Sequence, residues 1–294
     1  MSSAHKARFD VATALGQGQR ELQEDSVVTD FPVGMDVGYV VLADGMGGHA
    51  AGEIASAIIV TEVFAELKFK LADLSRHEKN IPSILKHAAL TANQCIRDYV
   101  ADNPTNYGMG ATLIAPVFVK DRLYWISVGD SPLYLFRDGK LKQLNEDHSM
   151  APEIDLMVAS GLITEEEGRY HPDRNCLRSV LLGDRIAKVD CPTEAFQLRE
   201  GDIVIASSDG LQFLSDDDII RLLTKDAERS STEIAHTLLA GVNSLRDPDQ
   251  DNISISVVKL NRLEAEIAAV PRFTHRRAGG AVPQTRLISF SNEG

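Results

Sequence analysis

Several apolar runs in this chain end at, or begin from, an aspartate, and this repetition constrains the fold more than any other feature. Residues 40–43 lead to Asp44, 125–129 to Asp130, 203–208 to Asp209, and Asp251 opens the run 253–258. Short apolar runs bounded by turn residues predict buried strands. Strands that end at one edge of a sheet bring their carboxylates together, where they repel one another unless a cation lies between them.

The ligand chemistry of such a cluster indicates which cation would be bound. Carboxylate oxygens without accompanying His or Cys ligands favour a hard divalent ion over zinc or copper. The pattern therefore predicts a Mg²⁺ or Mn²⁺ site where the strands end.

Composition is typical of a soluble globular protein and excludes some functions. The chain has 294 residues, 44% of them hydrophobic and 25% charged, which is enough for one large domain. Its net charge of -13 argues against nucleic-acid binding, which depends on Lys and Arg. Its three cysteines form no CxxC pair and indicate neither a disulfide framework nor a zinc site. We find no apolar leader or membrane span and expect a cytoplasmic monomer that does not bind membranes.

Hydrophobic periodicity predicts a strand-rich chain with helices at separate places. We expect helices over 53–67 and around 84–99, and another that begins near Ser230, where Glu233 gives capping-box spacing. The remaining runs predict strands, including an antiparallel meander over 111–119, 122–128 and 133–136. The predicted strands outside the meander are 9–15, 25–29, 39–43, 188–191, 203–206 and 253–258.

These elements predict an α+β fold in which two antiparallel sheets form a central sandwich flanked by pairs of helices, an α-β-β-α arrangement. Residues 1–261 would form the catalytic domain. Residues 145–183 have few strong apolar runs and are predicted to form a flap. Residues 262–294 have no sustained period and are predicted to be a disordered tail.

Six short motifs occur in a fixed order along the chain. They are Gly18-Gln19-Arg20 with Glu24-Asp25-Ser26, Asp44-Gly45-Met46-Gly47-Gly48-His49, Gly108-Met109-Gly110-Ala111-Thr112-Leu113, Val128-Gly129-Asp130-Ser131, Ser207-Ser208-Asp209-Gly210-Leu211 and Asp251-Asn252-Ile253. Together they resemble the PP2C-type (PPM) metal-dependent protein serine/threonine phosphatases, and the resemblance covers roughly residues 9–259. The DGMGGH form of the second motif is typical of bacterial members.

The resemblance implies a role for each matching residue. The metal ligands would be Asp25, Asp44, Asp209 and Asp251 around two ions, Gly45 through its carbonyl, and Asp130 on a third, weaker ion. Arg20 would bind phosphate, because a guanidinium matches its oxygens with paired hydrogen bonds. Arg20, Asp44, Asp209 and His49 would carry catalysis, with His49 as a general acid. The implied reaction is direct attack by a metal-bridging water or hydroxide, without a phosphoenzyme.

Each of these assignments has an alternative. Asp44-Gly45 and Asp209-Gly210 are also ordinary turn dipeptides, and Asp130 could simply end a strand. Arg20 could be a solvated surface residue, and it is five residues from Asp25, which would place the two on opposite faces of a regular strand. Asp249 competes with Asp251 as the ligand before the last strand. His49 could be structural or merely exposed, like most single histidines.

The resemblance implies phosphorylated protein substrates, which could include a Ser/Thr kinase or its targets. The alternative function is a catalytically silent relative that binds phosphoproteins or acts as an adaptor. Loss of metal carboxylates would favour that alternative, and every expected carboxylate is present.

Overall fold

The computed structural model describes residues 8–47, 51–226 and 228–261, and it gives no side-chain description for 71–76. The chain divides into two units, Met1–Leu263 and Glu264–Gly294, and the second unit lies outside the described residues. The predicted disordered tail therefore falls where the structure describes nothing. In the described part of the chain, no helix is both long and apolar enough to cross a membrane.

The described residues form two antiparallel sheets, as the strand pattern predicts. The first sheet has the order β1-β11-β10-β7-β8 and the second β2-β3-β5-β6-β9, with the short β4 paired to β3. The strands are β1 Phe9–Gly16, β2 Asp25–Asp30, β3 Val37–Met46, β4 Gly110–Ala111, β5 Leu113–Val119, β6 Arg122–Val128, β7 Leu133–Arg137, β8 Lys140–Gln143, β9 Phe196–Gln197, β10 Ile203–Ser207 and β11 Ile253–Leu260.

Helices cover the outer face of each sheet and complete the predicted α-β-β-α layers. Long α1 and α2 pack on the second sheet through one apolar cluster, and α5 and α6 pack on the first sheet through another. A third cluster, which includes Leu42, Trp125 and Leu135, fills the space between the sheets. The helices are α1 Ala51–Arg76, α2 Ile81–Asp102, α3 Ala151–Ala159, α4 Glu165–Arg169, α5 Asp216–Asp226 and α6 Ser231–Leu245.

Most predicted elements are confirmed, and two are wrong. The capping box at Ser230 and Glu233 starts α6 as expected. The meander is wrong at its third strand, because β7 pairs with β8 and β10 of the first sheet rather than with β6. Residues 188–191 form no strand, and only one bridge joins Asp190 to Ser127. The α5 helix was not predicted.

The chain passes between the two sheets at several points, and two of these crossings matter for the site. Residues 17–24 link β1 to β2, and residues 129–132 link β6 to β7. The first crossing carries Arg20 and the second carries Asp130. Sequence reasoning expected strand ends at one edge, and the structure adds that the residues there come from both sheets.

Candidate metal centre

The two carboxylates of the second sheet face each other across a strand pair. Asp25 begins β2 and is in register with Asp44 near the end of β3. The backbone of Asp44 is held by Thr112, whose hydroxyl accepts the Asp44 N–H at 2.9 Å and whose N–H donates to the Asp44 carbonyl at 2.9 Å. These contacts fix where the Asp44 side chain leaves the strand.

The two carboxylates of the first sheet follow β10 and precede β11. Asp209 opens a short 3₁₀ helix over Asp209–Phe213, and Asp251 lies just before β11. A Cβ added to Gly210 would lie 2.1 Å from the Asn252 carbonyl oxygen, so a glycine is needed for the two segments to approach. Antiparallel pairing of β10 with β11 thus brings the two aspartates to the same end of the sandwich.

The surroundings of Asp25 show that the carboxylates of this cluster lack enough hydrogen-bond donors and positive charges in the protein. Its Oδ2 accepts a hydrogen bond from the Ser208 hydroxyl at 2.7 Å, while its Oδ1 is buried without a hydrogen-bond partner. Burial, and then the charges of Asp209 and Asp251, raise the pKa of Asp25 to about 7, although the Ser208 hydrogen bond lowers it.

The neighbouring aspartates are perturbed in the same direction. Burial and the charge of Asp251 raise the pKa of Asp209 to about 6, and Asp209 Oδ1 is also buried without a partner. Burial and the charges of Asp25 and Asp209 raise the pKa of Asp44 well above its usual range. Burial and the charges of Asp209 and Asp147 raise the pKa of Asp130 to about 7. Shared repulsion of this kind marks a site that is suited to a cation.

Gly45 is packed so closely that no side chain could replace its hydrogen. An added Cβ would lie 2.2 Å from the Gly52 carbonyl oxygen and 2.6 Å from the Glu24 carbonyl oxygen. The Gly45 N–H donates to that Glu24 carbonyl at 3.1 Å. The glycine therefore keeps the main chain next to Asp25 and Asp44, as a carbonyl ligand would require.

Arg20 reaches the centre from the crossing between β1 and β2. Its Nη2 lies 2.5 Å from Asp251 Oδ2, in an ion pair whose side chains are 52% and 30% exposed. The turn before β2 removes the problem of a five-residue separation from Asp25, because Arg20 is not part of the strand. Asp249, the competitor of Asp251, takes no part in this pair, and its N–H instead donates to Asp247.

His49 lies outside the described residues, and its catalytic role stays a prediction. Two flap histidines are described. His148 is buried, its Nδ1 accepts the Gly129 N–H at 3.3 Å, and burial lowers its pKa. His171 Nδ1 accepts the Asp173 N–H at 3.2 Å. The His171 contact is local and the His148 contact joins it to the segment before Asp130, and neither hydrogen bond involves a carboxylate of the cluster.

Three contributors were missed by sequence reasoning. Glu24 Oε1 is buried without a hydrogen-bond partner and burial raises the pKa of Glu24, and its place next to Asp25 was the available signal. Ser208 supports Asp25, and its place beside Asp209 was the available signal. Asn252 accepts the Glu24 N–H and donates to the carbonyls of Gln17 and Leu22.

A cavity of about 520 Å³ adjoins the cluster. Its lining includes Asp130 and Asp209 of the cluster together with Asp155 and Arg174 from residues 145–183. Arg174 pairs with Asp155 at 2.6 Å, so the lining keeps a net negative charge. The cavity is large enough to accept a peptide side chain and adjoining backbone beside the carboxylates.

The residues fit a hard divalent ion. The donors are all oxygens, and three buried carboxylate oxygens at the site, on Glu24, Asp25 and Asp209, have no hydrogen-bond partner. Among the described residues, no three His, Cys, Asp or Glu side chains are already arranged as a ligand set, and Asp251 pairs with Arg20 instead.

Comparison with known proteins agrees with the geometry. The family profile described as protein phosphatase 2C matches residues 17–243. The chain is 35% identical over 221 residues to the serine/threonine protein phosphatase PstP of Mycobacterium tuberculosis strain H37Rv, which covers 74% of this chain but 39% of that protein. It therefore spans about two fifths of the length of that relative.

Two further matches cover most of the chain and of the matched protein. A putative protein phosphatase 2C-type of Streptococcus pyogenes is 32% identical over 243 residues, 82% of this chain and 93% of its own length. The crystal structure of the PstP catalytic domain in complex with two manganese ions superposes with a TM-score of 0.67 at 31% identity, over 86% of this chain and 99% of that one.

Proposed function

This chain belongs to the protein phosphatase 2C family, and we propose that it hydrolyses phosphoserine and phosphothreonine in proteins with two divalent metal ions. The observation that carries the proposal is the gathering of Asp25, Asp44, Asp209 and Asp251, from both sheets, with buried oxygens that no protein group satisfies. A scaffold whose aspartates merely end strands would pair or expose these carboxylates.

We assign the protein groups as follows. Asp25, Asp44, Asp209 and Asp251, with the Gly45 carbonyl, would hold two ions, and Asp130 would hold a third. When bound, the ions would lower the pKa of a water molecule and offset the charge of the phosphate. Arg20 would bind and orient the phosphate through its guanidinium fork.

Two further groups concern the substrate side of the reaction. The cavity beside Asp130 and Asp209 would hold the peptide next to the phosphorylated residue and exclude water from it. His49 would donate a proton to the leaving seryl or threonyl oxygen.

Manganese is the ion we propose for the centre. A relative's catalytic domain holds two manganese ions, and an all-oxygen donor set suits either Mn²⁺ or Mg²⁺. Calorimetric titration of chelator-treated protein with each ion measures the preference. Tighter binding of Mg²⁺ than of Mn²⁺ would reverse this assignment.

The function is tested by hydrolysis of a phosphothreonine peptide with Mn²⁺, with Mg²⁺ and with chelator. We expect metal-dependent turnover that is lost in an Asp44→Ala, Asp209→Ala double variant. Asp249→Ala is the matched control and should retain turnover, because Asp249 bonds to Asp247 rather than to the cluster. No turnover by folded, metal-loaded protein on several phosphopeptides would instead favour a silent phosphoprotein-binding relative.

The proposed substrates are phosphoproteins that a Ser/Thr kinase produces, including the kinase itself. The bacterial Ser/Thr phosphatases among the relatives support this proposal. An Asp44→Ala, Asp209→Ala protein used as bait should retain phosphorylated proteins. Recovery of neither a kinase nor a kinase substrate would contradict it.

A further inference from the structure

Arg20 and Asp251 form an ion pair inside a group of acidic side chains that has little other positive charge. Arg20 lowers the pKa of Asp209 and of Glu24, whereas the largest charges that act on Asp25, Asp44 and Asp130 are all those of carboxylates. The guanidinium is therefore the protein's own counter-ion for this end of the sandwich.

Both oxygens of Asp251 are already engaged within the protein. Oδ2 accepts from Arg20 Nη2 at 2.5 Å, and Oδ1 accepts the N–H of Asn252 at 2.7 Å. A divalent ion that binds Asp251 must share or replace one of these donors. The Asn252 N–H is fixed in the main chain at the start of β11, so the Arg20 side chain is the donor that can leave.

The backbone around Arg20 is fixed independently of this ion pair. Asn252 donates to the carbonyls of Gln17 and Leu22, and the Gln19 N–H donates to the Gln250 carbonyl at 2.8 Å. Gly18 has φ 62° and lies so close to Asp251 that an added Cβ would be 2.2 Å from its carbonyl oxygen. A change in the partner of Arg20 is therefore a rotation of its half-exposed side chain over a fixed loop.

We propose that Arg20 and the metal compete for the Asp251 carboxylate, so that metal binding transfers Arg20 from Asp251 to the phosphate. This inference rests on the proposed function for the identity of the metal and the anion. It adds that the phosphate-binding arginine is held by a metal ligand until the metal arrives. Metal and phosphate then bind cooperatively. The metal takes Asp251 and frees Arg20 for the phosphate, and the phosphate takes Arg20 and frees Asp251 for the metal.

Competition and support predict opposite changes in Mn²⁺ affinity when Arg20 is removed. Arg20→Ala should tighten the binding of Mn²⁺ to chelator-treated protein by about two- to fivefold, the range expected from loss of one partly exposed ion pair. If Arg20 instead holds Asp251 in place for the metal, the same variant binds Mn²⁺ more weakly. Calorimetric titration of the full chain distinguishes the two.

Arg221→Ala is the matched control for the loss of one positive charge. Arg221 pairs with Asp218 at 2.6 Å on α5, and neither residue belongs to the carboxylate cluster. We expect its Mn²⁺ affinity to equal that of the wild type. If both variants bound Mn²⁺ more tightly to the same extent, the cause would be the change in net charge, and the proposed competition would be wrong.

A second measurement uses the wild-type chain, so that its result does not depend on whether Arg20→Ala folds correctly. Mg²⁺ is diamagnetic, so the Nε–Hε signal of Arg20, assigned by its loss in Arg20→Ala, can be followed by NMR during a Mg²⁺ titration. We expect the signal to shift and to gain mobility as Mg²⁺ binds, and to regain order when inorganic phosphate is added.

The outcomes separate this inference from the proposed function. Metal binding by the wild type with an unchanged or weaker affinity in Arg20→Ala, or with an unperturbed Arg20 signal, overturns the competition and leaves the metal centre in place. Failure of the wild type to bind either ion overturns both.

Discussion

Two of the regions that bury aspartates in the described part of the chain do so with opposite consequences. Asp202, between β9 and β10, is 2% exposed, and the Arg137 fork donates to both of its oxygens at 2.8 and 2.6 Å. The Arg199 N–H adds a third hydrogen bond at 2.7 Å. At the other region, Asp25 and Asp209 each have a buried oxygen without a partner.

The difference shows that burial of an acid does not by itself mark a functional site. The Arg137 guanidinium and a main-chain N–H satisfy Asp202, and this structural ion pair ties the segment before β10 to the end of β7. The site aspartates are left with repulsion that only an added cation can relieve. The informative feature is therefore a buried carboxylate oxygen with neither a hydrogen-bond partner nor an ion-pair partner, which separates Asp25 and Asp209 from Asp226, whose Oδ1 pairs with Arg229 at 3.1 Å.

The largest expected effect is a loss of turnover when a carboxylate of the cluster is replaced. Asp209→Asn should lower kcat/KM by about a thousandfold or more, about 4 kcal/mol, because a metal ligand is lost. The same variant in chelator should melt no lower than the wild type, because a neutral amide relieves the repulsion. If Asp209→Asn kept a tenth of the turnover, or melted clearly below the wild type, the site aspartates would not differ from Asp202 in the way described.

The next effect is on stability and comes from the satisfied region. Asp202→Asn should lower the free energy of unfolding by about 3 kcal/mol, because it leaves the Arg137 guanidinium, 20% exposed, without its carboxylate. Urea denaturation measures the loss. Asp218→Asn, which breaks the exposed pair with Arg221, is the control and should cost less than about 1 kcal/mol.

A pH titration sharpens the comparison without changing the fold. Raised pKa values, about 7 for Asp25 and Asp130, mean that the folded state binds protons more tightly than the unfolded chain. This stabilisation is complete below the unfolded pKa of 3.8 and is lost as the pH rises through about 7. In chelator, the free energy of unfolding should therefore rise by about 2 kcal/mol for each of these two carboxylates between pH 8 and pH 5.5.

Asp25→Asn is the reference at every pH and should reduce that rise. His148 has a lowered pKa, which removes stability as the pH falls through 6.5. Because His148 is present in both proteins, its contribution cancels in the difference between the wild type and Asp25→Asn. Saturating Mn²⁺ should suppress the rise, because bound metal favours the ionised carboxylates. A flat profile in chelator for the wild type would show that the site carboxylates are not strained.

The smallest effect concerns the hydroxyl that partly satisfies Asp25. Ser208→Ala should weaken Mn²⁺ binding by about tenfold, about 1.4 kcal/mol, because Ser208 donates to Asp25 Oδ2 and orients it. Ser207→Ala is the matched neighbour, since that hydroxyl donates to the Ser254 carbonyl instead. Equal losses in the two variants would assign the effect to packing, and Ser208→Thr should restore binding.

The sequence was sufficient for most of the fold and for the gathering of the aspartates. Alternating apolar runs located β1, β2, β3, β5, β6, β10 and β11, and antiparallel pairing then brought Asp44, Asp209 and Asp251 to one end. The departure of β7 to the other sheet could not be read from periodicity, because its residues are buried on both sides, as in a central strand of either sheet.

Contacts between distant segments account for the rest. Ser208 reaches Asp25, and Asn252 holds the Arg20 loop, through hydrogen bonds between residues far apart in the chain. Local propensity contains no information about such partners. The ion pair of Arg20 with Asp251 was missed for the same reason, and it changes the expected behaviour of the site.

The union of both sheets in one centre also has a consequence for the order of events during folding. Asp25 and Asp44 lie on one sheet and Asp209 and Asp251 on the other, and Arg20 and Asp251 are separated by 231 positions in the chain, so the complete centre can form only after the sandwich has closed. Metal capture would then report a completed fold rather than help to nucleate it. Added Mn²⁺ should slow unfolding and leave the refolding rate nearly unchanged, as for any contact absent from the transition state.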